Sequence, residues 1–157
     1  MIRVLFVCLG NICRSPTAHG VFRQMIENAG LADQVLVDSA GTAAWHIGKS
    51  PDQRSARHAA LRGYDLSSLR ARQAVADDFY QFDYVLAMDK ENLLNLQQIC
   101  PADAPVEPRL LLADFAQSFN QLEVPDPYYG GDAGFEQVLD LVEDACQGLL
   151  ADIRKRL

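Results

Sequence analysis

Residues 2–7, Ile-Arg-Val-Leu-Phe-Val, are a β-branched and aromatic run broken by a single charge. Such a run marks a strand buried on both faces of a parallel sheet. The period then changes. Ala18, Val21, Phe22, Met25, Ile26 and Ala29 recur at helical spacing, and Gly30 stops the helix. Ser15 reads as the N-cap of that helix and Pro16 as its first residue. Gln34 to Ser39 predicts a second strand, running out into Ala40-Gly41, and Asp52 to Arg62 a second helix closed by Gly63. Phe82 to Ala87 predicts a third strand, after which Asp89 caps a helix carrying Leu93, Leu96 and Cys100 before Pro101. A short strand is expected over Val106 to Leu110. The last helix, Gly134 to Lys155, carries one apolar stripe through Phe135, Val138, Leu139, Val142, Cys146, Leu149, Leu150 and Ile153. Strand and helix alternate without repeats or linkers, which predicts one α/β domain over residues 1–157. Its architecture is a four-stranded parallel sheet, doubly wound, with helices on both faces. Such sheets bind ligands beyond the carboxyl ends of their strands, where the strand order reverses. The turn after the first strand, residues 8–15, is therefore the place to look for chemistry.

Composition narrows the function. The 157 residues are 49% hydrophobic and 22% charged, an ordinary globular balance at a size that buries a core without staples. The apolar runs fall well short of the roughly 20 residues needed to span a bilayer. The N-terminal stretch has neither a long apolar region nor a small-residue cleavage site, so a cytoplasmic protein without membrane insertion is expected. The net charge is −7, and no Lys/Arg cluster occurs before the last four residues, which argues against nucleic acid as a partner. An anionic ligand would have to be held by a local device working against the overall field. Cys8, Cys13, Cys100 and Cys146 include no C-x-x-C pair and no His at zinc spacing, so no metal and no cofactor are expected.

Residues 8–15 read Cys-Leu-Gly-Asn-Ile-Cys-Arg-Ser. A Cys and an Arg six apart prove little alone; their context gives them meaning. Cys8 ends a buried strand, and Gly10 and Asn11 are residue types that tolerate positive φ, so the chain between can curl with its N–H groups turned inward. The following helix offers its positive end to an anion. Arg14 adds a planar fork that matches two phosphate oxygens. A thiol in that setting is favoured as the thiolate, and the Ser15 hydroxyl is placed to donate to it. The result is a nucleophile at the base of a site shaped for a tetrahedral dianion. A second segment, Pro125-Asp126-Pro127-Tyr128-Tyr129-Gly130-Gly131, supplies a carboxylate in extended backbone, two aromatic rings and a flexible end.

Together these segments resemble the low-molecular-weight protein tyrosine phosphatases, over essentially the whole chain. The resemblance rests on Val7 to Pro16, Ser39-Ala40-Gly41-Thr42, Ala71-Arg72-Gln73, Phe82-Asp83 with Met88-Asp89, and Asp126-Pro127-Tyr128-Tyr129. It implies hydrolysis of phosphotyrosine and aryl phosphate monoesters through a cysteinyl-phosphate, with Cys8 as nucleophile, Arg14 as phosphate clamp and Asp126 as general acid and then base. It implies a phosphate-binding loop of Leu9, Gly10, Asn11, Ile12, Cys13, Arg14 and Ser15, with Asn11 and Ser39 holding its shape. Leu9, Ile12, Trp45, Tyr128 and Tyr129 would wall the cleft. The implied substrates are phosphotyrosyl proteins, in bacteria often tyrosine kinases of polysaccharide export.

One departure is visible. Many family members carry a His three residues before the Arg of the Ala-Arg-Gln segment, where it supports the phosphate loop; here that position is Leu69. The support behind Asn11 must then come from elsewhere. His58 reads as a surface or satisfied histidine, His19 and His46 as bystanders, Cys100 and Cys146 as core, and Arg54 and Asp89 as a possible pair. Cys13 is open between a redox partner for Cys8 and a small buried residue behind the loop. Two other functions remain in view: a thioredoxin-coupled arsenate reductase, which needs further cysteines to relay a disulfide, and a phosphotyrosine-binding or redox module that turns nothing over.

Overall fold

In the computed structural model, which describes residues 1–157, the elements in chain order are β1 (Ile2–Cys8), α1 (Arg14–Asn28), β2 (Val35–Gly41), α2 (Gln53–Leu61), α3 (Asp78–Gln81), β3 (Tyr84–Ala87), α4 (Lys90–Ile99), β4 (Arg109–Leu110), α5 (Leu111–Phe115) and α6 (Asp132–Arg154). The four strands make one sheet in the order β2-β1-β3-β4, and every neighbouring pair is parallel. The chain leaves β1 towards β2 on one side and later returns to β3 on the other. The reversal therefore falls between β1 and β3, and the carboxyl ends of those two strands open the crevice where such sheets bind ligands.

The period of two along β1 sorts its side chains between two cores. Val4, Phe6 and Cys8 face a large core shared with α1, α2, α5 and α6. Leu5 and Val7 face a smaller one closed by Phe79 of α3 and Leu96 of α4. The strand is consequently hydrophobic at every position but the exposed Arg3, and helices do cover both faces of the sheet. Gly30 and Gly63, at φ of 72° and 90°, end the excursions after α1 and α2 as the sequence predicts.

Several boundaries differ from expectation. β4 shrinks to Arg109–Leu110, because Pro108 has no N–H to give the ladder. α3 and α5 are helices of four and five residues, too short to show a helical period, and were not expected. The N-cap of α1 is Cys13 rather than Ser15, and Pro16 is the third helical residue. Pro is tolerated there because the first-turn N–H groups have no helical partner. Freed from capping, the Ser15 side chain points back towards β1.

α5 and α6 meet at Gly148, where a Cβ would stand 2.0 Å from the Phe115 carbonyl oxygen. An alanine in mid-helix is ordinarily favoured over glycine by up to about 1 kcal/mol. Here overpacking should outweigh that gain, so Gly148→Ala is expected to destabilise the protein by about 1–3 kcal/mol in urea unfolding. An unchanged or higher midpoint would show that α5 moves aside freely.

Candidate active site

The turn from β1 into α1 is shaped by where its carbonyls go. Thr42 and Ala43, just past β2, donate their N–H groups to the carbonyls of Cys8 and Leu9, both at 2.9 Å. Asp52 N–H donates to Ile12 C=O at 2.8 Å, and the Thr17 hydroxyl to Cys13 C=O at 2.7 Å. With those carbonyls drawn outward, the amides of Leu9, Gly10, Ile12 and Cys13 bond to no other protein group. They are free donors set beside the positive end of α1, an arrangement chemically suited to an anion. Gly41 makes the outward clamp possible. A Cβ there would lie 2.8 Å from Leu9 O and 3.1 Å from Asn11 N.

Asn11 alone among non-glycine residues has positive φ, at 56°. Gly10 does not, against expectation; its missing side chain instead leaves room for the His46 ring, 3.0 Å from where a Cβ would sit. The Asn11 side chain locks the curl. Its Oδ1 accepts from Arg72 N–H at 3.0 Å and its Nδ2 donates to Ser15 Oγ at 2.7 Å. Leu69 packs into the core, so Arg72 N–H and Ser15 are the supports behind Asn11. Ser39, expected to share that task, instead bonds His19 Nδ1 at 3.0 Å. Burial pushes His19 down to about 4, which keeps that ring neutral at physiological pH. β2 reaches the loop through the carbonyl of Ala40, 3.3 Å from Ser15 Oγ.

Cys8 Sγ lies in this cradle, 3.1 Å from Ser15 Oγ and accepting Asn11 N–H at 3.3 Å. The Ser15 hydroxyl has one proton and two acceptors. A thiolate, which can only accept, draws it to sulfur, whereas a thiol that itself donates to Ser15 releases it to Ala40 C=O.

Arg14 is only 2% exposed. Its Nη1 donates to Asp89 Oδ2 at 2.6 Å and to Val124 C=O at 3.0 Å, and its Nη2 stands 3.6 Å from Asp126 Oδ2. Burial works against its charge, but the negative potential of Cys8, Asp89 and Asp126 outweighs it and holds the guanidinium more firmly protonated than usual. Asp126 also accepts Tyr128 N–H at 3.0 Å, which turns its carboxylate into the cavity. That cavity holds about 210 Å³ and is lined by Cys8, Leu9, Gly10, Ile12, Cys13, Arg14, Trp45, His46, Asp126, Tyr128 and Tyr129. Its floor is polar and its walls are aromatic. The walls are open at the rim, with Trp45 69% and Tyr129 91% exposed.

This arrangement matches known proteins along the whole chain. A sequence model described as low molecular weight phosphotyrosine protein phosphatase matches residues 3–157. The chain belongs to that family. A low molecular weight protein-tyrosine-phosphatase of Streptomyces coelicolor is 45% identical, with 99% of this chain and 95% of that protein covered. A low molecular weight protein-tyrosine-phosphatase of Bacillus subtilis, YfkJ, is 41% identical over 99% and 97%. A crystal structure of a protein tyrosine phosphatase from Entamoeba histolytica, with Hepes in its active site, superimposes with a TM-score of 0.94 at 41% identity, covering 99% of this chain and 98% of that one.

In this phosphatase all the cleft residues expected from sequence meet in one cavity, and two residues given no part there by sequence belong to the site, one in the cavity and one behind it. His46 lines the wall. Asp89 is the partner of Arg14, not of Arg54, which turns to Asp52. Its position directly after β3, at the strand-order reversal, was the available signal. Cys13 is buried but still borders the cavity. Desolvation, with help from Asp52 and Cys8, pushes its thiol up to about 12 despite a Ser55 hydrogen bond. His58 is largely buried and paired with Glu136 and Asp132 of α6. Cys146 is core as expected, while Cys100 is only half-buried.

If Asn11 holds the curl, Asn11→Ala should loosen phosphate binding as well as slow turnover. The inhibition constant for inorganic phosphate is expected to rise about tenfold, the worth of one good hydrogen bond. An unchanged constant would mean that the backbone clamps suffice.

Proposed function

We propose that the chain hydrolyses phosphotyrosyl proteins through a cysteinyl-phosphate intermediate, with Cys8, Arg14 and Asp126 in the roles their chemistry suggests. The observation that carries this reading is the geometry of the loop. A sulfur is centred under inward, unpartnered amides, with a buried guanidinium on one side and a carboxylate on the same rim. In the proposed cycle the loop amides and Arg14 hold the phosphoryl oxygens while Cys8 Sγ attacks phosphorus in line with the departing phenolate. Asp126 protonates that phenolate. It then takes a proton from the water that attacks phosphorus, and the S–P bond breaks to return the thiolate. The Ser15 hydroxyl donates to the sulfur whenever it carries charge.

The aromatic rim suits an aryl ester, whose ring can pass between Trp45 and the tyrosines to bring phosphorus down to the sulfur. A bacterial tyrosine kinase is one phosphotyrosyl substrate of that chemistry. The proposed catalytic unit is a single domain over residues 1–157, and a cytoplasmic site of action fits its free cysteines. No helix is long and apolar enough to cross a membrane. An arsenate-reductase relay finds little support, since Cys100 and Cys146 both lie away from the cavity and burial raises both thiols. A module that only binds would have no use for a carboxylate lining the same cavity as the thiol.

Cys8→Ser is expected to abolish hydrolysis of para-nitrophenyl phosphate while the fold persists; turnover above about 1% of wild type would exclude the covalent route. Asp126→Ala should lower kcat/KM by about 10²–10⁴-fold on phenyl phosphate and much less on para-nitrophenyl phosphate, whose leaving group needs no proton. Equal losses on the two esters would leave Asp126 a purely structural part.

A further inference from the structure

The segment that carries Asp126 has few attachments. Val124 at its start is tied through its N–H to Met88 C=O and through its C=O to Arg14. From Pro125 to Gly130, only two hydrogen bonds join the loop to the rest of the protein, and Arg54 donates both; Gly131 C=O, where α6 begins, accepts Gly134 N–H at 3.0 Å. One Nη reaches Tyr128 C=O at 2.8 Å and the other Gly130 C=O at 3.5 Å. Within the loop, Tyr128 N–H aims the Asp126 carboxylate and Gly130 N–H closes onto Pro127 C=O. Arg54 thus grips the carbonyl of the very residue whose amide orients the acid. The guanidinium also lies over the rings of Tyr128 and Phe135, with its central carbon 5.5 and 4.8 Å from their centroids.

The other end of the tether is the phosphate loop. Asp52 holds Arg54 through contacts of 3.2 and 3.3 Å and caps α2 by accepting the N–H groups of Arg54 and Ser55. Its own N–H donates to Ile12 C=O. One continuous set of bonds therefore runs from the phosphate loop through Asp52 and Arg54 to the acid loop. Gly130-Gly131 offers that loop freedom to swing; besides Arg54, its middle is held by the looser approach of Arg14 to Asp126 and by the buried Pro127, which lies against Gly134 of α6.

We propose that Arg54 is a positioning residue for the reaction: it holds the 125–131 loop over the cavity and thereby sets how often Asp126 stands ready to transfer a proton. The proposal rests on the role of Asp126 given above. It concerns proton transfer alone, because the amides and Arg14 grip phosphate without the acid loop.

The test is a double-mutant cycle of Arg54→Ala and Asp126→Ala, read on phenyl and para-nitrophenyl phosphate, with inorganic phosphate inhibition and thermal unfolding measured in parallel. In the wild-type background Arg54→Ala is expected to lower kcat/KM on phenyl phosphate about tenfold and distinctly less on para-nitrophenyl phosphate. The phosphate inhibition constant should stay put. In the Asp126→Ala background the same substitution should cost nothing further. Arg54→Lys, which keeps the charge but loses the fork, should fall between wild type and Arg54→Ala, and it carries the same test should the alanine variant not fold. Equal losses in both backgrounds, or a phosphate constant that rises in step, would overturn the proposal by placing the role of Arg54 in the phosphate loop. No loss at all would also overturn it. Failure of the underlying reading looks different, because Asp126→Ala alone would then leave the two esters equally affected.

Discussion

Burying a guanidinium is costly unless its charge is answered, and much of the site is organised around doing that for Arg14. Its partners come from separate parts of the chain: Asp89 after β3, the Val124 carbonyl, and Asp126. Because Val124 is itself bonded to Met88, the end of β3 and the root of the acid loop share one anchor. At this end the proposed phosphate loop and the root of the proposed acid loop are thereby joined across 110 residues of sequence through one side chain. Loss of Asp89 would remove the nearest counter-charge of a buried cation, which is more disruptive than loss of a surface pair.

The backbone half of the site follows a different economy. A curled loop can present amides to an anion only if its carbonyls find donors elsewhere. Here those donors are the chain leaving β2, the N-cap of α2 and the first turn of α1. The sheet order places the first of these beside the loop, since Cys8 pairs with Gly41. The anion site is in this sense a by-product of strand pairing, completed by one residue, Asn11, that accepts left-handed backbone at modest cost.

Much of this was legible beforehand because the decisive patterns are local. The apolar run of β1, broken only by Arg3, the Gly-Asn curl and the Arg at a helix mouth lie within fifteen residues, and the low molecular weight phosphatase signature covers both loops. What escaped was non-local or too short. Asp89 and Arg14 are 75 residues apart, and no spacing rule connects them. Arg54 and Tyr128 are 74 apart. Ser39 was assigned to the loop from its place in a motif, yet strand alternation turns it to His19 and leaves the next carbonyl to do the work. Ser15 was read as a cap because serine commonly is one; its real partners became visible only when the loop closed on it. The two missed helices span about one turn each, less than a period needs to declare itself.

The Ser15 hydroxyl has two acceptors within reach, Cys8 Sγ at 3.1 Å and Ala40 C=O at 3.3 Å. While sulfur is bonded to phosphorus in the proposed intermediate it is a weak acceptor, and the hydroxyl proton is best accommodated on Ala40 C=O. As water displaces the sulfur, negative charge returns to it, and the proton need only rotate about one C–O bond to meet that charge. The β2 carbonyl thus acts as a parking place. The group that eases the thiolate's departure waits within reach for the lifetime of the intermediate, neither lost to solvent nor requiring any movement of the chain.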